Sequence, residues 1–400
     1  MRILQLNTFC GVKSTGRIAS EIAKLVQADG GECIIGYGVP GISADSEQFA
    51  LKIGSKLGRK FHAVIRKLLD AEGYGSLLAT CRLIVKMRKS PPDLVHLHNL
   101  HGCYLHLPLL FRWLCRLDIP VVWTLHDCWP FTGHCAYFDF SGCDRWKEGC
   151  FACPQQKSYP TCIGLDGSSR NYQMKKKYFN LPANLTFVTP CKWMTKHLKT
   201  SYLGHYPAKV ITNGVNLEAF KPVASDIRER YSIQNRRLCL AVASEWDHRK
   251  GLPFLCQAAE KLKENYVFAV IGLSEEQVFA LPEGMIGIRN TADLHELAAW
   301  YTAADCFVNP TLEDNMPMVN LEALACGTPV VVFETGGCPE AIDETCGIVV
   351  PQGNLESFCQ AIRAATSGVF TAENCIKRAQ LFDCRQTFQR YLELYKELCQ

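Results

Sequence analysis

The sequence contains no run of about 18 uninterrupted apolar residues, the length that a membrane-spanning helix needs. Its first residues, Met1–Asn7, do not lead into a long apolar stretch with a small-residue cleavage site, so no secretory leader is predicted. Neither sign of charge is in large excess, because 43 Lys and Arg oppose 39 Asp and Glu, for a net charge of +4. A nucleic-acid-binding protein usually carries a concentrated basic face, so no nucleic-acid partner is expected. These absences predict a cytoplasmic protein.

The composition is that of a globular protein, with 48% hydrophobic and 20% charged residues among 400. This length exceeds one ordinary core and suits two domains of roughly 150–200 residues each. In a reducing cytoplasm the 22 cysteines are expected to be thiols or metal ligands rather than disulfides.

Short apolar runs alternate with helical patterns in both halves of the chain, which predicts an α/β fold with parallel sheets. In the first half the predicted strands are Ile3–Asn7, Cys33–Tyr37, Leu94–Leu97, Val121–Leu125 and Thr186–Thr189. After Asn213-Gly214 they are Leu238–Ala243, Val267–Ile271, Cys306–Asn309, Pro329–Phe333 and Gly347–Val350. The helices predicted between the later strands are Leu252–Lys263, Leu294–Thr302, Met318–Ala325 and Leu355–Ala365.

Two similar halves of this kind predict two Rossmann-like domains that face each other across a cleft. We place the first at residues 1–213 and the second at 214–385, with a last helix at 386–400 that packs back on the first domain. Sheets of this type bind ligands at the carboxyl ends of their strands, so the cleft is the expected site.

Residues Gly58–Lys89 form two predicted amphipathic helices with many basic residues on their polar sides. One interpretation is a solvated surface. The other is peripheral contact with an acidic membrane surface, where basic side chains gain energy from anionic lipids. The sequence leaves both open.

The most informative segment runs from Asn309 to Val332, where a strand, a polar loop and a helix follow one another. The helix is predicted to begin near Pro317, since proline suits a first turn. Backbone N–H groups at such a helix start favour an anion. Asp314 lies in the loop, and Glu322 lies about one turn into the helix. A carboxylate such as Glu322 can accept two hydroxyl hydrogen bonds at once, as a ribose diol requires.

Together with Gly336-Gly337-Cys338-Pro339-Glu340, this segment resembles the retaining glycosyltransferases of family 4, which have the GT-B fold. Their signature is two acids separated by seven residues, then Glu-Ala-x-Ala-x-Gly-x-Pro-Val and Gly-Gly-x-Pro-Glu. The resemblance implies that Glu322 holds the nucleotide ribose and Asp314 contacts sugar hydroxyls. The first acid is usually Glu, and the neighbouring Glu313 is an alternative for that contact. The helix-start residues implied to bind the donor are Asn315, Met316, Pro317, Met318 and Val319.

Further motifs of the family occur in the same order along the chain. Asn213-Gly214 with the residues after it resembles the interdomain signature, although Asn-Gly is also a general turn dipeptide. Asp247-His-Arg-Lys-Gly resembles the segment whose lysine, here Lys250, meets the donor diphosphate. The family has an arginine five residues earlier, where this chain has Glu245. Either Arg249 supplies the missing charge, or Lys250 and backbone amides hold the diphosphate alone.

In the first domain, Gly11 and Gly16 bracket the loop after the first strand. In the family, this glycine-containing loop approaches the donor phosphate or the acceptor. For Gly11 a plain strand-to-helix turn is an equal alternative. His126 follows the strand Val121–Leu125 and matches a histidine that lies beside the donor sugar in the family. His98 and Asn99 follow the preceding strand and are predicted to line the same cleft.

Cysteines are concentrated between residues 128 and 162, where aromatic residues are also frequent. Cys135, Cys143, Cys150 and Cys153 contain one Cys-x-x-Cys pair, and four thiolates can close a tetrahedral zinc site. The alternative is a set of reduced buried thiols. The segment directly follows His126, so we interpret it as a lid or an acceptor platform.

The resemblance implies transfer of a sugar from a UDP- or GDP-sugar to a glycan or lipid-linked acceptor, with retention of configuration and no catalytic metal. The sequence contains no Asp-x-Asp metal motif. Bacterial surface polysaccharide synthesis is the implied setting, in the cytoplasm or at the inner face of the cell membrane. The alternatives are a nucleotide-sugar epimerase of the same fold and a non-catalytic nucleotide-sugar-binding protein.

Overall fold

The computed structural model describes residues 1–233 and 235–400 and divides into two compact units. Unit 1 contains Met1–Ile211 and Phe388–Gln400, and unit 2 contains Thr212–Thr387. The predicted divisions at 213/214 and 385/386 lie within two residues of these. Among the described helices, none combines the length and the apolar character that crossing a bilayer would require.

Unit 1 is built on a seven-stranded parallel sheet whose strand order is β3-β2-β1-β4-β5-β6-β7. The strands are β1 (Arg2–Asn7), β2 (Glu32–Tyr37), β3 (Ala50–Lys52), β4 (Leu94–Leu97), β5 (Val121–Thr124), β6 (Leu185–Thr189) and β7 (Ala208–Val210). The helices are α1 (Lys13–Ala28), α2 (Lys56–Leu69), α3 (Leu77–Lys89), α4 (Leu107–Leu114), α5 (Ser168–Phe179) and α6 (Lys192–Thr200). Ile3, Leu4 and Leu6 in β1 are fully buried, because both faces of a parallel sheet are covered.

Unit 2 has a six-stranded parallel sheet with the order β10-β9-β8-β11-β12-β13. The strands are β8 (Arg237–Val242), β9 (Tyr266–Ile271), β10 (Ile286–Ile288), β11 (Cys306–Asn309), β12 (Val330–Phe333) and β13 (Gly347–Val350). The helices are α7 (Ile227–Arg230), α8 (Leu252–Leu262), α9 (Glu275–Phe279), α10 (Leu294–Ala303), α11 (Met318–Ala325), α12 (Leu355–Ala365) and α13 (Ala372–Gln380). The predicted α/β class with two Rossmann-like sheets is confirmed.

The strand order of each sheet reverses at one place, between β1 and β4 in unit 1 and between β8 and β11 in unit 2. The loops that leave the carboxyl ends of two such strands diverge and open a crevice, which is where doubly wound sheets bind ligands. The predicted site residues follow strands at or beside these two switch points.

The last helix, α14 (Cys384–Leu398), runs into unit 1 and contacts its sheet. The Tyr391 hydroxyl lies 3.2 Å from Thr124 Oγ1, and the Tyr395 hydroxyl lies 2.6 Å from His96 Nδ1. Tyr395 is fully buried. Unit 1 is therefore completed by the end of the chain.

Candidate functional site

In unit 2, the loops after β8 and β11 are joined by an ion pair between two predicted site residues. Lys250 Nζ lies 2.6 Å from Asp314 Oδ2, and both side chains are partly buried. Asp314 Oδ1 also accepts a hydrogen bond from the amide of Asn315. Glu313 is buried, so Asp314 is the acid that meets Lys250. The structure thus brings together the residues predicted to contact the diphosphate and the sugar.

The loop that carries Lys250 is held by backbone contacts with the neighbouring loop. The carbonyl of Arg249 accepts hydrogen bonds from the amide of Leu312 at 2.6 Å and from Thr311 Oγ1 at 3.2 Å. The Arg249 guanidinium pairs with Asp247 at 2.8 Å. Its charge is therefore already partly compensated. Glu245, at the position where the family has arginine, is exposed.

Asp314 is placed by a close approach of the Gly336-Gly337 turn. Gly336 has φ +54°, and a Cβ atom at this position would stand 1.7 Å from the carbonyl oxygen of Asp314. Only glycine fits there without displacing the Asp314 backbone. Gln352 donates to the Leu312 carbonyl at 2.7 Å and to Thr335 Oγ1 at 2.9 Å, which links the same two loops.

Helix α11 begins after Pro317, as predicted, and no side chain caps its first turn among the described residues. Its first turn contains no acidic residue. Met318 and Val319 are partly exposed, whereas Asn315, Met316 and Pro317 are buried. The carbonyl of Met316 is bound by the Asn213 side chain at 2.8 Å. The helix start therefore keeps the partial positive charge that attracts an anion.

Glu322 lies in the second turn of α11 and has a partner that the sequence does not indicate. The Tyr301 hydroxyl on α10 donates to Glu322 Oε2 at 2.9 Å. Burial and the adjacent carboxylate raise the pKa of Tyr301 well above its usual value, so it remains a donor. The two residues are 21 positions apart on separate helices, and no local motif links them.

In unit 1, His126 follows β5 and lies edge to edge with His98, with ring centroids 5.3 Å apart and the ring planes only 13° from parallel. His98 Nδ1 lies 3.0 Å from His126 Nε2, and His98 Nε2 lies 2.8 Å from Gln5 Oε1. His98 is only 1% exposed, so it does not line a cleft as predicted. It lies beneath His126 and holds that ring through the hydrogen bond. Asn99 is partly exposed, and its carbonyl accepts the Thr8 and Tyr104 hydroxyls.

The hydrogen-bond network fixes the protonation of both rings. Gln5 Nε2 donates to the carbonyl of Ala19, so Gln5 Oε1 is an acceptor and His98 must carry its proton on Nε2. His98 Nδ1 then accepts from His126 Nε2–H. Burial lowers the pKa of His126 to about 4 and that of His98 well below its usual value. Both histidines are neutral at pH 7.

The glycine loop after β1 is closed by a hydrogen bond between its two glycines. Gly11 has φ +71°, and a Cβ atom there would stand 2.0 Å from Ser43 Oγ. Its amide donates to the Gly16 carbonyl at 3.1 Å. Gly16 is buried in the first turn of α1, whose start has no side-chain cap among the described residues. The turn itself thus explains the glycine at position 11.

The cysteine-rich segment folds around a small aromatic cluster and a buried histidine. Trp146 packs against Phe131 and Phe138 with ring centroids 5.2 and 4.8 Å apart. Cys150 Sγ accepts a hydrogen bond from the amide of Gly133 at 3.1 Å. Cys143 is partly exposed.

His134 lies beside Cys153 and is fully buried. Its Nδ1 lies 2.6 Å from Asp70 Oδ1, and its Nε2 has no hydrogen-bond partner among the residues that the structure describes. Because metal-binding histidines usually bond a carboxylate through their other nitrogen, this arrangement suits a ligand.

Among the residues that the structure describes, His62, Glu72 and Cys103 have ligand atoms that all lie within 4.8 Å of one another, whereas no three of the predicted cysteines and His134 come that close. The His62 and Glu72 side chains already accept hydrogen bonds from backbone amides of nearby loops. His62 Nε2 accepts the amides of Gly73 and Gly75, and Glu72 Oε1 accepts the amides of Gly102 and Cys103. Hydrogen bonding therefore accounts for this group.

Two family models match the chain. Residues 16–219, just over half of the sequence, match the model described as Glycosyltransferase Family 4, and residues 236–367 match the one described as Glycosyl transferases group 1. The chain is 23% identical over its full length to the putative colanic acid biosynthesis glycosyl transferase WcaC of Escherichia coli K12, which it also covers fully.

Solved structures share the fold over the whole chain. Sucrose-phosphate synthase from Thermosynechococcus elongatus aligns with a TM-score of 0.70 and 17% identity over 99% of this chain and 98% of that one. Anabaena Alr3699/HepE in complex with UDP-glucose aligns with a TM-score of 0.67 and 16% identity over 100% of both chains. The family-model match over residues 16–219 and these folds lead to one conclusion: this chain belongs to glycosyltransferase family 4 and has the GT-B fold.

Proposed function

We propose that this glycosyltransferase moves a sugar from a nucleoside-diphosphate sugar, UDP- or GDP-linked, to a glycan or lipid-linked acceptor with retention of configuration and without a catalytic metal. The observation that carries the proposal is the Lys250–Asp314 pair beside the uncapped start of α11. A cation, a helix N-terminus and an acid at one sheet edge suit a diphosphate joined to a hydroxylated sugar.

In this proposal Glu322 accepts the ribose hydroxyls, and the Tyr301 hydroxyl holds its carboxylate in place. The presence of UDP-glucose in the Alr3699/HepE complex supports a nucleotide-sugar donor for a chain of the same fold. The first turn of α11, around Met318 and Val319, receives the diphosphate.

Lys250 exchanges partners during the reaction. Before donor binding its charge is matched by Asp314. When a diphosphate arrives, Lys250 turns to the phosphate oxygens, and the released Asp314 carboxylate accepts sugar hydroxyls. As the bond from the anomeric carbon to the phosphate oxygen breaks, Lys250 stabilises the negative charge on the leaving group.

In this proposal unit 1 contributes His126 and binds the acceptor. A neutral imidazole with its Nε2 proton held by His98 can accept a hydrogen bond through Nδ1, which suits a sugar hydroxyl. The acceptor hydroxyl attacks the anomeric carbon from the face that the phosphate leaves, and its proton passes to the departing phosphate oxygen, so configuration is retained. The cysteine-rich segment directly after His126 is the proposed lid or acceptor platform.

A surface polysaccharide pathway is the setting we propose, at the cytoplasmic side of the cell membrane. The similarity over the full length to WcaC, a putative colanic acid biosynthesis glycosyl transferase, supports it. A thermal-shift panel of UDP-, GDP- and ADP-sugars tests the donor, because a ligand that binds the folded state raises its stability. If no nucleotide sugar shifts the transition, the proposal is wrong.

The two alternatives make different predictions in the same assay. An epimerase converts the selected donor sugar without any acceptor, whereas a transferase yields little beyond slow hydrolysis. A non-catalytic binding protein retains the thermal shift but turns over no acceptor from a polysaccharide-lipid extract.

We also propose a structural zinc in the cysteine-rich segment. Cys135, Cys143, Cys150 and Cys153 are the predicted ligands, and the buried Nε2 of His134 is a fifth candidate donor.

A further inference from the structure

Four polar side chains at the ends of β4 and β5 form two successive pairs. His96 Nε2 lies 2.8 Å from Thr124 Oγ1, and His98 Nδ1 lies 3.0 Å from His126 Nε2. Residues two positions apart on a strand lie on the same face of the sheet, so the second pair continues the first. The rings of His96 and His98 are neighbours, with centroids 3.9 Å apart. We call these four residues the histidine layer.

Most of the histidine layer lies in the interior of unit 1. His96, His98 and Thr124 are buried. Burying polar groups costs free energy unless each one is hydrogen-bonded, and apolar side chains would fill the same volume without that cost. Val95 and Leu97, which alternate with the two histidines on β4, are buried apolar residues of this kind. Packing alone therefore does not account for polar residues at these positions.

The first pair of the layer is bound by α14, the last helix of the chain. The Tyr395 hydroxyl lies 2.6 Å from His96 Nδ1, and the Tyr391 hydroxyl lies 3.2 Å from Thr124 Oγ1. Both tyrosines are buried, and their ring centroids lie 5.7 and 5.5 Å from that of His96. Helix α14 thus supplies one hydrogen-bond partner to each member of that pair.

The direction of these hydrogen bonds follows from the protons available. Thr124 donates its hydroxyl proton to Tyr391, so Thr124 Oγ1 accepts from His96 Nε2–H. Burial lowers the pKa of His96 well below its usual value, so the ring is neutral and its Nδ1 has a lone pair. Tyr395 therefore donates to Nδ1 and holds this tautomer in place. His98 also carries its proton on Nε2, so both histidines of β4 have the same tautomer.

We propose that Tyr395 is a positioning residue for sugar transfer, because it holds His96 in one tautomer and one orientation. His98 then packs against a fixed ring and presents Nδ1 to His126. Tyr395 is fully buried, so it acts through these histidines and does not itself contact a substrate. This role depends on the proposed function of His126 beside the donor sugar.

Loss of the Tyr395 hydroxyl would leave His96 Nδ1 without its donor. The ring could then turn over, or take the other tautomer and meet Thr124 with a different nitrogen. Either change alters the contact with His98, on which the position of His126 depends. Because misplacing a group by about 1 Å can lower a rate about 100-fold, a residue remote from the substrate can have a large kinetic effect.

Tyr395→Phe tests this role, since it removes the hydroxyl and keeps the ring. We expect kcat to fall roughly 10- to 100-fold. Calorimetry should find an unchanged affinity for the product nucleotide, which is proposed to bind unit 2. Tyr206→Phe is the matched control, because this buried tyrosine of unit 1 donates to the Pro182 carbonyl at 2.8 Å, outside the histidine layer. This control should keep the kcat of the wild type.

The double variant His96→Leu with Tyr395→Phe separates positioning from stability. It should unfold at a higher urea concentration than Tyr395→Phe alone, because no imidazole nitrogen is left unpaired at position 96. Its kcat should nevertheless stay low. His96→Gln should keep most of the turnover, since its amide can accept from Tyr395 and donate to Thr124. If kcat recovers together with stability in the double variant, the role is structural only and the proposal is overturned.

Nitrogen-15 NMR of histidine-labelled protein observes the layer without any transfer reaction. In the wild type, His96, His98 and His126 should each be neutral with the proton on Nε2. Tyr395→Phe should shift the ring signals of all three, and Tyr206→Phe should shift none. Unchanged His98 and His126 signals in Tyr395→Phe would overturn the proposal, even if turnover falls. If the wild type transfers no sugar, the proposed function fails, and these signals still decide whether Tyr395 holds His126.

Discussion

The ammonium of Lys250 lies 2.6 Å from a carboxylate oxygen of Asp314, and this contact ties the loop after β8 to the loop after β11. A cation proposed to bind phosphate is thus already matched by an acid. In the proposed exchange of partners, donor binding breaks this ion pair. The affinity for the nucleoside diphosphate therefore depends on how strong the Lys250–Asp314 pair is.

Asp314→Asn should tighten binding of the nucleoside diphosphate roughly two- to fivefold, because a partly exposed pair of this kind is worth up to about 1 kcal/mol. The same variant should lose turnover, since the sugar contact is gone. Lys250→Met should lower kcat on the order of 10²–10³-fold. Calorimetry with the product nucleotide and steady-state kinetics provide both measurements.

The exposed pair Lys261–Glu356, at 3.2 Å, is the control for this prediction. Glu356→Gln should change neither nucleotide affinity nor turnover. Weaker nucleotide binding by Asp314→Asn would contradict the proposed exchange of partners.

Glu322→Ala should lower turnover on the order of 10²–10³-fold in a folded protein. Tyr301→Phe removes one hydrogen bond to that carboxylate and should raise the KM for the donor roughly tenfold, for a loss of about 1–1.5 kcal/mol. Tyr391→Phe, which removes the hydroxyl near Thr124 in unit 1, should leave this KM unchanged. Near-normal turnover of Glu322→Ala would defeat the ribose assignment.

Acid should destabilise unit 1 through its buried histidines. The pKa of His126 is about 4 in the folded state against a usual value of 6.5, so the unfolded chain binds more protons between these values. Stability should therefore fall as pH drops from 6.5 to about 4, by at most about 1.4 kcal/mol per pH unit for one such group. Urea unfolding at several pH values measures the slope.

His126→Gln is the variant for this pH prediction, because the glutamine amide can still donate to His98 and has no proton to gain. Its stability should depend less on pH than that of the wild type over the same window. An identical pH slope would mean that His126 does not titrate there.

Elemental analysis should find about one zinc per chain in protein purified without chelator. Cys150→Ser with Cys153→Ser should remove it, and the cysteine-rich segment should become sensitive to protease. If His134→Gln loses zinc and Cys143→Ser keeps it, His134 is the fourth ligand. If Cys143→Ser loses zinc and His134→Gln keeps it, the predicted set of four cysteines is confirmed. Metal-free wild-type protein with normal stability would rule out the site.

Gly336→Ala should disturb the loop that carries Asp314, since the added Cβ would stand 1.7 Å from the Asp314 carbonyl oxygen. We expect unit 2 to lose several kcal/mol of stability or the enzyme to lose most turnover. Gly284→Ala is the matched control, with φ +87° and nothing within 4 Å of its Cβ position. If both variants behave alike, backbone conformation alone matters at Gly336.

The long central strands and the regular helices could be predicted from the sequence because both faces of a parallel sheet are covered, which leaves continuous apolar runs. β11, β13, α11 and α12 have the predicted bounds. The three strands that were missed, β3, β7 and β10, have three residues each and lie at sheet edges. Such short runs carry too little periodicity to stand out.

The predicted site residues were found where strands end, since motif position and topology coincide there. The sequence could not predict the residues that hold these site residues in place. Tyr301 reaches Glu322 from another helix, and Gln5 sets the proton of His98 from 93 positions away. These contacts depend on how the helices and strands pack, so no spacing along the chain indicates them.

The return of α14 to the sheet of unit 1 has a consequence for synthesis on the ribosome. Residues 1–211 emerge first, yet Tyr391 and Tyr395, which bind Thr124 and His96, are made only after unit 2. At roughly 5–20 residues per second, about 10 to 40 seconds separate the two. The amino-terminal unit must therefore wait, incomplete, until unit 2 has been made, and a stalled or truncated nascent chain would expose the place that the last helix covers.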